Sequence, residues 1–240
     1  ILHYAAKSGN LEMNRYLVEK VGMDITAGDR WCVTPYQIAY ERKDEKLLSY
    51  YKERIGASYE EMYHNPIRRG MFPDPSIVRV GEDYYLVTSS FVYAPGVPIF
   101  HSRDLAHWEQ IGNILDRPSQ LCVENEEISR GIFAPTIRYH EGTFYMITTN
   151  VSHGGNFIVT AQDPAGPWSD PYYLGEEAVG IDPSLFFDDD GRCYYCGTRP
   201  NPEGVRYNGD WEIWIQELDL GTMKLKGRSM AIWKGAVKGC

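Results

Sequence analysis

Two aspartates, Asp74 and Asp182, each precede a proline and a serine at the start of a strand-like stretch, in FPDPSIVRV and GIDPSLFF. Carboxylates carry out acid–base chemistry when neighbouring charges and partial burial separate their pKa values. Proline disfavours the helical region for the residue before it, which predicts an extended backbone at Asp74 and a carboxylate direction set by the main chain. A single Asp-Pro pair, however, is more typical of a turn.

A third segment, APTIRYHEGTFYMITTN, follows the same plan but has Ala134 in the position of the aspartate. In all three segments, Pro-Ser or Pro-Thr is followed by an apolar residue, a short polar turn with glycine, and an aromatic pair. A purely structural role in a turn would predict aspartate in every segment. The alanine therefore favours a chemical role for Asp74 and Asp182.

The elements that must position these residues are β-hairpins, because the polar turns with glycine lie between alternating runs. Another apolar strand follows each hairpin, and a fourth short strand is predicted around WEQIG, DPYYL and AIWKG. Recurring units of four strands predict the blades of a β-propeller. A β-sandwich, the alternative, gives no reason for Pro-Ser or Pro-Thr at the head of each unit. The first strand of a blade lines the central channel, so both aspartates are expected to face one cavity.

The beginning of the chain is predicted to be helical and repetitive. Residues 1–24 align without a gap with residues 35–58, so that Leu2 matches Tyr36 and Gly22 matches Gly56. Each unit predicts two helices closed by a C-cap glycine. The openings LHYAA and TPYQIA resemble the ankyrin repeat, and an ordinary pair of helical hairpins is the alternative. The resemblance implies a possible protein partner bound through these repeats.

Composition and cysteine spacing disfavour several classes of binding partner and several kinds of site. The formal net charge of −9 disfavours a nucleic-acid partner, and no apolar run is long enough to span a bilayer. Cys193 and Cys196, two of the 5 cysteines, are three apart on a predicted strand and should point to opposite faces, which disfavours a zinc or redox site. Reduced thiols and ankyrin-like repeats favour a cytoplasmic location. The start at Ile1 predicts that the natural N-terminus is missing.

Four linked segments resemble glycoside hydrolase family 43 in order and spacing: FPDPSIVRVGEDYYLVTSSF, PGVPIFHSRDLAHWEQIG, GIFAPTIRYHEGTFYMITT and GIDPSLFFDDDGRCYY. The resemblance implies a five-bladed propeller, with about three blades present, and inverting hydrolysis of terminal β-xylosyl or α-L-arabinofuranosyl residues of plant polysaccharides. We expect ankyrin-like repeats over residues 1–62 and the propeller domain over residues 63–240, a mixed fold. The alternative function is that of a non-catalytic carbohydrate-binding or protein-interaction propeller.

The resemblance also implies roles for single residues. Asp74 matches the general base that activates water, and Asp182 matches the aspartate that tunes the pKa of the general acid and orients it. Phe133 replaces the tryptophan of the family's Trp-Ala-Pro motif, and Phe91 matches an aromatic position after the first inner strand. Both phenylalanines are expected either to stack on the sugar or to pack between blades.

The general acid of the family is a glutamate in a Glu-Gly-Pro motif, which is expected beyond Cys240. The cluster Glu124, Glu126 and Glu127 has no Gly-Pro beside it and is interpreted as a solvated surface loop. No cofactor is expected. Some relatives carry a calcium ion in the channel, but its ligands are not identifiable in this sequence.

Overall fold

The computed structural model describes residues 1–62, 65–123 and 127–235. The chain divides into two compact units, Ile1–Arg69 and Gly70–Cys240, of which the first is helical and the second is built from β-strands. None of the helices in these ranges has both the length and the hydropathy required to cross a bilayer.

The first unit contains two pairs of short helices: α1 (Leu2–Ser8), α2 (Leu11–Glu19), α3 (Pro35–Glu41) and α4 (Glu45–Ile55). A short 3-10 helix, Tyr59–Glu61, follows them. Three of the helices begin at a side chain that accepts a hydrogen bond from the main-chain N–H three residues later, and these caps are Asn10, Thr34 and Asp44. Side-chain capping thus fixes the start of the second helix in each pair, which is α2 or α4.

The predicted C-cap glycines differ in their placement. Gly56 caps α4 in the left-handed conformation, with φ of 84°. Helix α2 is capped instead by Lys20, and Gly22 lies two residues further on with φ of 76°. The predicted C-cap glycine is therefore confirmed for α4, whereas the one predicted for α2 is wrong, because Lys20 is the C-cap there.

The core of the first unit contains a buried polar pair. Tyr51 lies in the apolar cluster with Leu2, Tyr36 and Leu47. Its hydroxyl donates a hydrogen bond of 2.5 Å to Oδ1 of Asn14, a side chain with 0% exposure. This bond links α2 to α4, and burial raises the pKa of Tyr51 well above its usual range.

The Tyr51→Phe replacement should loosen α2 and α4. It leaves the buried Asn14 Oδ1 without its donor, which costs about 1–3 kcal/mol. The matched control is Tyr50→Phe, because the Tyr50 hydroxyl donates to Glu19, which also accepts from Arg54 and is accessible to water. Hydrogen exchange of the α2 and α4 amides should accelerate strongly in Tyr51→Phe and little in the control. Equal rates in the two variants would contradict the assigned importance of the pair.

Over residues 70–123 and 127–235, the second unit forms three antiparallel four-stranded sheets, and each sheet has its strands in chain order. The first sheet contains β1 (Ser76–Val80), β2 (Asp83–Val87), β3 (Gly96–Ser102) and β4 (Glu109–Leu115). The second contains β5 (Thr136–His140), β6 (Thr143–Asn150), β7 (Gly155–Ala161) and β8 (Tyr172–Tyr173). The third contains β9 (Ile181–Phe187), β10 (Cys193–Pro200), β11 (Trp211–Asp219) and β12 (Lys224–Trp233). The four-stranded units predicted from the sequence are confirmed.

The second sheet is buried on both faces. Met146 of β6 packs into a core shared with the first sheet, whereas its neighbour Ile147 packs into a core shared with the third. In β7, Val159 and Ile158 divide in the same way. Successive residues of a strand point to opposite faces, so burial on both faces produces the unbroken apolar runs of these strands.

The serines of the Pro-Ser motifs tie neighbouring sheets together. The Ser76 hydroxyl accepts a 3.2 Å hydrogen bond from the main-chain N–H of Ile137 in the second sheet. The Arg138 guanidinium of the second sheet donates to the Ser184 hydroxyl at 2.9 Å and to the Leu185 carbonyl at 3.1 Å. The first strands β1, β5 and β9 are therefore held side by side, with their starts at the same end.

Candidate active site

Asp74 lies two residues before β1 and is held by Ser89, which lies two residues after the end of β2. The Ser89 hydroxyl donates a 2.5 Å hydrogen bond to Oδ2 of Asp74, and the Ser89 main-chain N–H donates to the Pro73 carbonyl at 3.0 Å. Ser89 is 1% exposed, whereas Asp74 is open to solvent. The Asp74 carboxylate is thus accessible to solvent, whereas Ser89, which holds it, is buried.

Asp182 lies at the corresponding point of the third sheet, next to an irregularity in the pairing of β9 with β10. The Thr198 hydroxyl donates to the Ile181 carbonyl at 3.0 Å. The preceding residue, Gly180, has φ of 99°, and a Cβ at this position would lie 1.6 Å from the Thr198 carbonyl oxygen. Only glycine allows this close approach of the two strands, so Gly180 fixes the path of the chain into Asp182.

The extended backbone predicted for Asp74 is wrong. Asp74 has φ of 52° and Asp182 has φ of 54°, both in the left-handed region. The following proline disfavours the right-handed helical region, but it does not prevent this conformation when tertiary hydrogen bonds hold the segment. Aspartate tolerates the left-handed region better than most residues, yet such backbone strain costs about 1–3 kcal/mol and clusters at functional sites.

The two carboxylates interact electrostatically. The pKa of Asp182 is raised above its ordinary value, mainly by desolvation and to a smaller extent by the negative charge of Asp74. Asp182 remains accessible to water, so this desolvation is partial. The carboxylates at the starts of the first and third sheets therefore interact with each other. Ala134, the matching residue of the second sheet, contributes no charge.

Phe91 and Phe133 lie against each other at this end of the sheets. Their rings meet edge to face with centroids 5.8 Å apart, and both residues are half-buried. Phe91 has φ of 49°, a strained value for a bulky residue, and pairs with Ile132 through two main-chain hydrogen bonds of 2.9 and 3.0 Å. Each ring therefore takes part in packing and keeps an accessible portion.

A cavity of about 280 Å³ adjoins Asp182. Its lining consists of residues 149–155, which are the end of β6, the loop that follows it and the first residue of β7, together with Gly180 and Ile181. Asn150, which is 2% exposed, fixes this loop because its Oδ1 accepts hydrogen bonds from the main-chain N–H groups of Ser152 and His153. Sequence reasoning assigned no role to this loop or to Ser89, because their approach to the two aspartates depends on strand pairing between residues distant in the chain.

The other residues considered from the sequence fall outside this arrangement. Glu124 and Glu126 lie outside the described residues, and Glu127 is exposed. Cys193 is buried and Cys196 half-buried on β10, and within the described ranges no group of three or more His, Cys, Asp or Glu side chains is placed to hold a metal ion.

Comparisons with known proteins agree on a class for this fold and site. Residues 63–240 match the family described as Glycosyl hydrolases family 43. A xylosidase/arabinosidase from Butyrivibrio fibrisolvens is 79% identical over 176 residues, which are 73% of this chain and 34% of that protein. The chain therefore belongs to family 43 of the glycosyl hydrolases.

Solved structures give the same result. A GH43_12 protein retrieved from capybara gut metagenome has a TM-score of 0.67 and 50% identity, over 71% of this chain and 32% of that one. A xylan beta-1,4-xylosidase from Bacillus halodurans C-125 has a TM-score of 0.67 and 45% identity, over 72% and 34% of the two chains. The matched part of the chain spans about a third of the length of these relatives.

Replacement of Asp182 by asparagine should stabilise the protein at neutral pH. Because the pKa of Asp182 is raised in the folded state, the folded state binds the Asp182 proton more tightly than the unfolded state does. The stability that protonated Asp182 provides is therefore lost as the pH rises from the ordinary aspartate pKa through the folded-state pKa. The gain in unfolding temperature of Asp182→Asn should be largest above that window and should vanish below a pH of about 3.9.

A control of opposite sign is Asp210→Asn. The Arg206 guanidinium and main-chain N–H hold the pKa of Asp210 well below its usual range, so ionised Asp210 stabilises the fold. Thermal unfolding of both variants between acid and neutral pH checks the signs. A loss of stability at neutral pH in Asp182→Asn would contradict the destabilising environment assigned to this carboxylate.

Proposed function

We propose that the complete protein hydrolyses terminal β-xylosyl or α-L-arabinofuranosyl residues of plant polysaccharides with inversion at the anomeric carbon. One observation carries the proposal: two carboxylates with the same strained backbone interact at the corresponding starts of two sheets, whereas alanine occupies that position between them. The named activities of the similar proteins, a xylosidase/arabinosidase and a xylan beta-1,4-xylosidase, support this substrate class.

Asp74 is assigned the role of general base. Its carboxylate takes a proton from water while the water oxygen forms a bond to the anomeric carbon. The bond from that carbon to the leaving oxygen breaks, and the leaving oxygen receives a proton from a general acid. No carboxylic acid among the described residues is assigned as that acid.

Asp182 is assigned to tuning and orienting the general acid. An ionised carboxylate near an acid favours its protonated form, and the acid must be protonated before the leaving group departs. The electrostatic interaction of Asp182 with Asp74 supports a position in the same site. The raised pKa of Asp182 reflects an environment in which added negative charge is unfavourable.

Phe91 and Phe133 are assigned to the sugar. The flat apolar face of a pyranose or furanose ring stacks on aromatic rings, and the edge-to-face contact between these two fixes their orientation. Their half-buried state supports a surface that substrate can reach. The cavity beside Asp182 supplies adjoining space on the same end of the sheets.

We further propose that residues 1–62 are ankyrin-like repeats preceding a propeller domain over residues 63–240, and that the repeats serve a protein partner. The two similar helix pairs support this proposal, as does the burial of matched positions: Leu2 with Tyr36, and Ala5 with Ala39. Tyr16 is 58% exposed although its match Tyr50 is 4% exposed, so the two units differ on one face.

The Asp74→Asn variant of the complete protein tests the catalytic proposal. An amide cannot accept the proton of water, so turnover of aryl xylosides or arabinofuranosides should fall by about 10²–10⁴-fold or more. Binding of a xylo- or arabino-oligosaccharide, measured by calorimetry, should remain close to that of the parent. The matched control is Asp189→Asn, which changes an exposed aspartate in the turn between β9 and β10.

Two results would overturn the proposal. Turnover by Asp74→Asn within roughly tenfold of the parent would remove the base assignment, because a general base contributes more than that. Binding of the oligosaccharide without hydrolysis by the parent protein would identify a carbohydrate-binding protein instead.

A further inference from the structure

We propose that Ser89 is a positioning residue for the catalytic carboxylate of Asp74, and that its hydroxyl decides which carboxylate oxygen accepts the proton of water. The inference rests on the proposed role of Asp74 as the general base. Ser89 acts through Asp74 and is given no contact with substrate.

The pairing of β1 with β2 brings Ser89 to Asp74. Ser76 lies opposite Val87 in this antiparallel pair. The same register, continued by two residues on each chain, sets Asp74 opposite Ser89. The main-chain bond from Ser89 to the Pro73 carbonyl and the side-chain bond to Oδ2 both hold this segment at the start of the strand.

The chemistry of the contact is directional. A hydroxyl has one proton to donate, and at 2.5 Å from Oδ2 that proton is committed to this oxygen. Within the described residues the Asp74 side chain forms no second hydrogen bond. Oδ1 is therefore the oxygen left for water.

The burial of Ser89 makes this contact hard to replace. Ser89 is 1% exposed, so water cannot readily take the place of its hydroxyl. The backbone of Asp74 is in the left-handed region and the carboxylate is open to solvent. An exposed carboxylate without a fixed donor would exchange between rotamers, and loss of orientation is costly in catalysis.

Corresponding hydroxyls in the other sheets have different partners. Thr149 lies opposite Ala134 in the continued register of β5 and β6, and its hydroxyl donates to the Asn156 side chain. The Thr198 hydroxyl of the third sheet donates to the Ile181 carbonyl. A hydroxyl at this place of the hairpin is thus common to the three sheets, and Ser89 is the one that reaches a carboxylate.

The neighbours of Ser89 provide matched controls. Thr88 and Ser90 are 0% and 4% exposed, and their hydroxyl oxygens have no hydrogen-bond partner among the described residues. Removal of either hydroxyl in Thr88→Val or Ser90→Ala alters the same buried stretch without touching the bond to Asp74. These variants show the effect of changing the buried residues after β2 while the hydrogen bond from Ser89 to Asp74 is kept.

The experiment compares kcat and KM of the complete protein and its variants on an aryl glycoside. In Ser89→Ala, kcat should fall by roughly 10- to 100-fold, the range for loss of a hydrogen bond to a charged group. KM should change little, because Ser89 acts on the orientation of the Asp74 carboxylate and not on the bound substrate. Thr88→Val and Ser90→Ala should keep the kcat and KM of the parent, and Ser89→Thr, which keeps the hydroxyl, should recover most of the activity.

A double variant makes the failure of this inference distinguishable from failure of the base assignment. If Ser89 acts through Asp74, Asp74→Asn/Ser89→Ala should be no slower than Asp74→Asn alone. An inactive Asp74→Asn together with a kcat close to that of the parent in Ser89→Ala would overturn the role of Ser89 only. An active Asp74→Asn would overturn the proposed function itself. A Ser89→Cys variant, with a weaker donor of similar size, should fall between serine and alanine if the alanine variant does not fold.

Discussion

Burial of the middle sheet on both faces is the constraint on which the second unit depends. Adjacent residues of β6, Met146 and Ile147, enter two different cores, so the sheets on either side are fixed relative to each other through this strand. The Ser76 and Ser184 hydroxyls then lock β1 and β9 to β5 at their starts. Because the aspartates occupy those same starts, close packing of three sheets is what brings Asp74 and Asp182 into one electrostatic environment.

The site is maintained at a cost to the fold. Asp74, Phe91 and Asp182 all have left-handed backbones, and ionised Asp182 is disfavoured by desolvation and by Asp74. The backbone strain and the repulsion between the two carboxylates are tolerated because packing in the two apolar cores holds the strands in place at this end of the sheets. Such a combination is typical of a functional site, where local conformational preference is sacrificed for the placement of reacting groups.

Much of this architecture could be predicted from local sequence signals. Polar turns with glycine and alternating apolar runs identify the hairpins, and the contrast of Asp74 and Asp182 with Ala134 identifies the carboxylates. The left-handed backbone could not be predicted, because tertiary hydrogen bonds decide it. Ser89 was missed because it lies 15 residues from Asp74 in the chain, although the register of the predicted hairpin would have placed it opposite that aspartate.

The two carboxylates differ in the support that their hairpins give them, and this difference suits two roles. The hydroxyl opposite Asp74 donates to the carboxylate, whereas the Thr198 hydroxyl, displaced by the irregular pairing beside Asp182, donates to the main chain. Within the described residues Asp182 accepts no side-chain hydrogen bond, and its pKa is raised. One carboxylate is thus oriented by a donor and the other is left responsive to nearby charge. A one-residue shift between two otherwise similar hairpins is sufficient to produce that asymmetry.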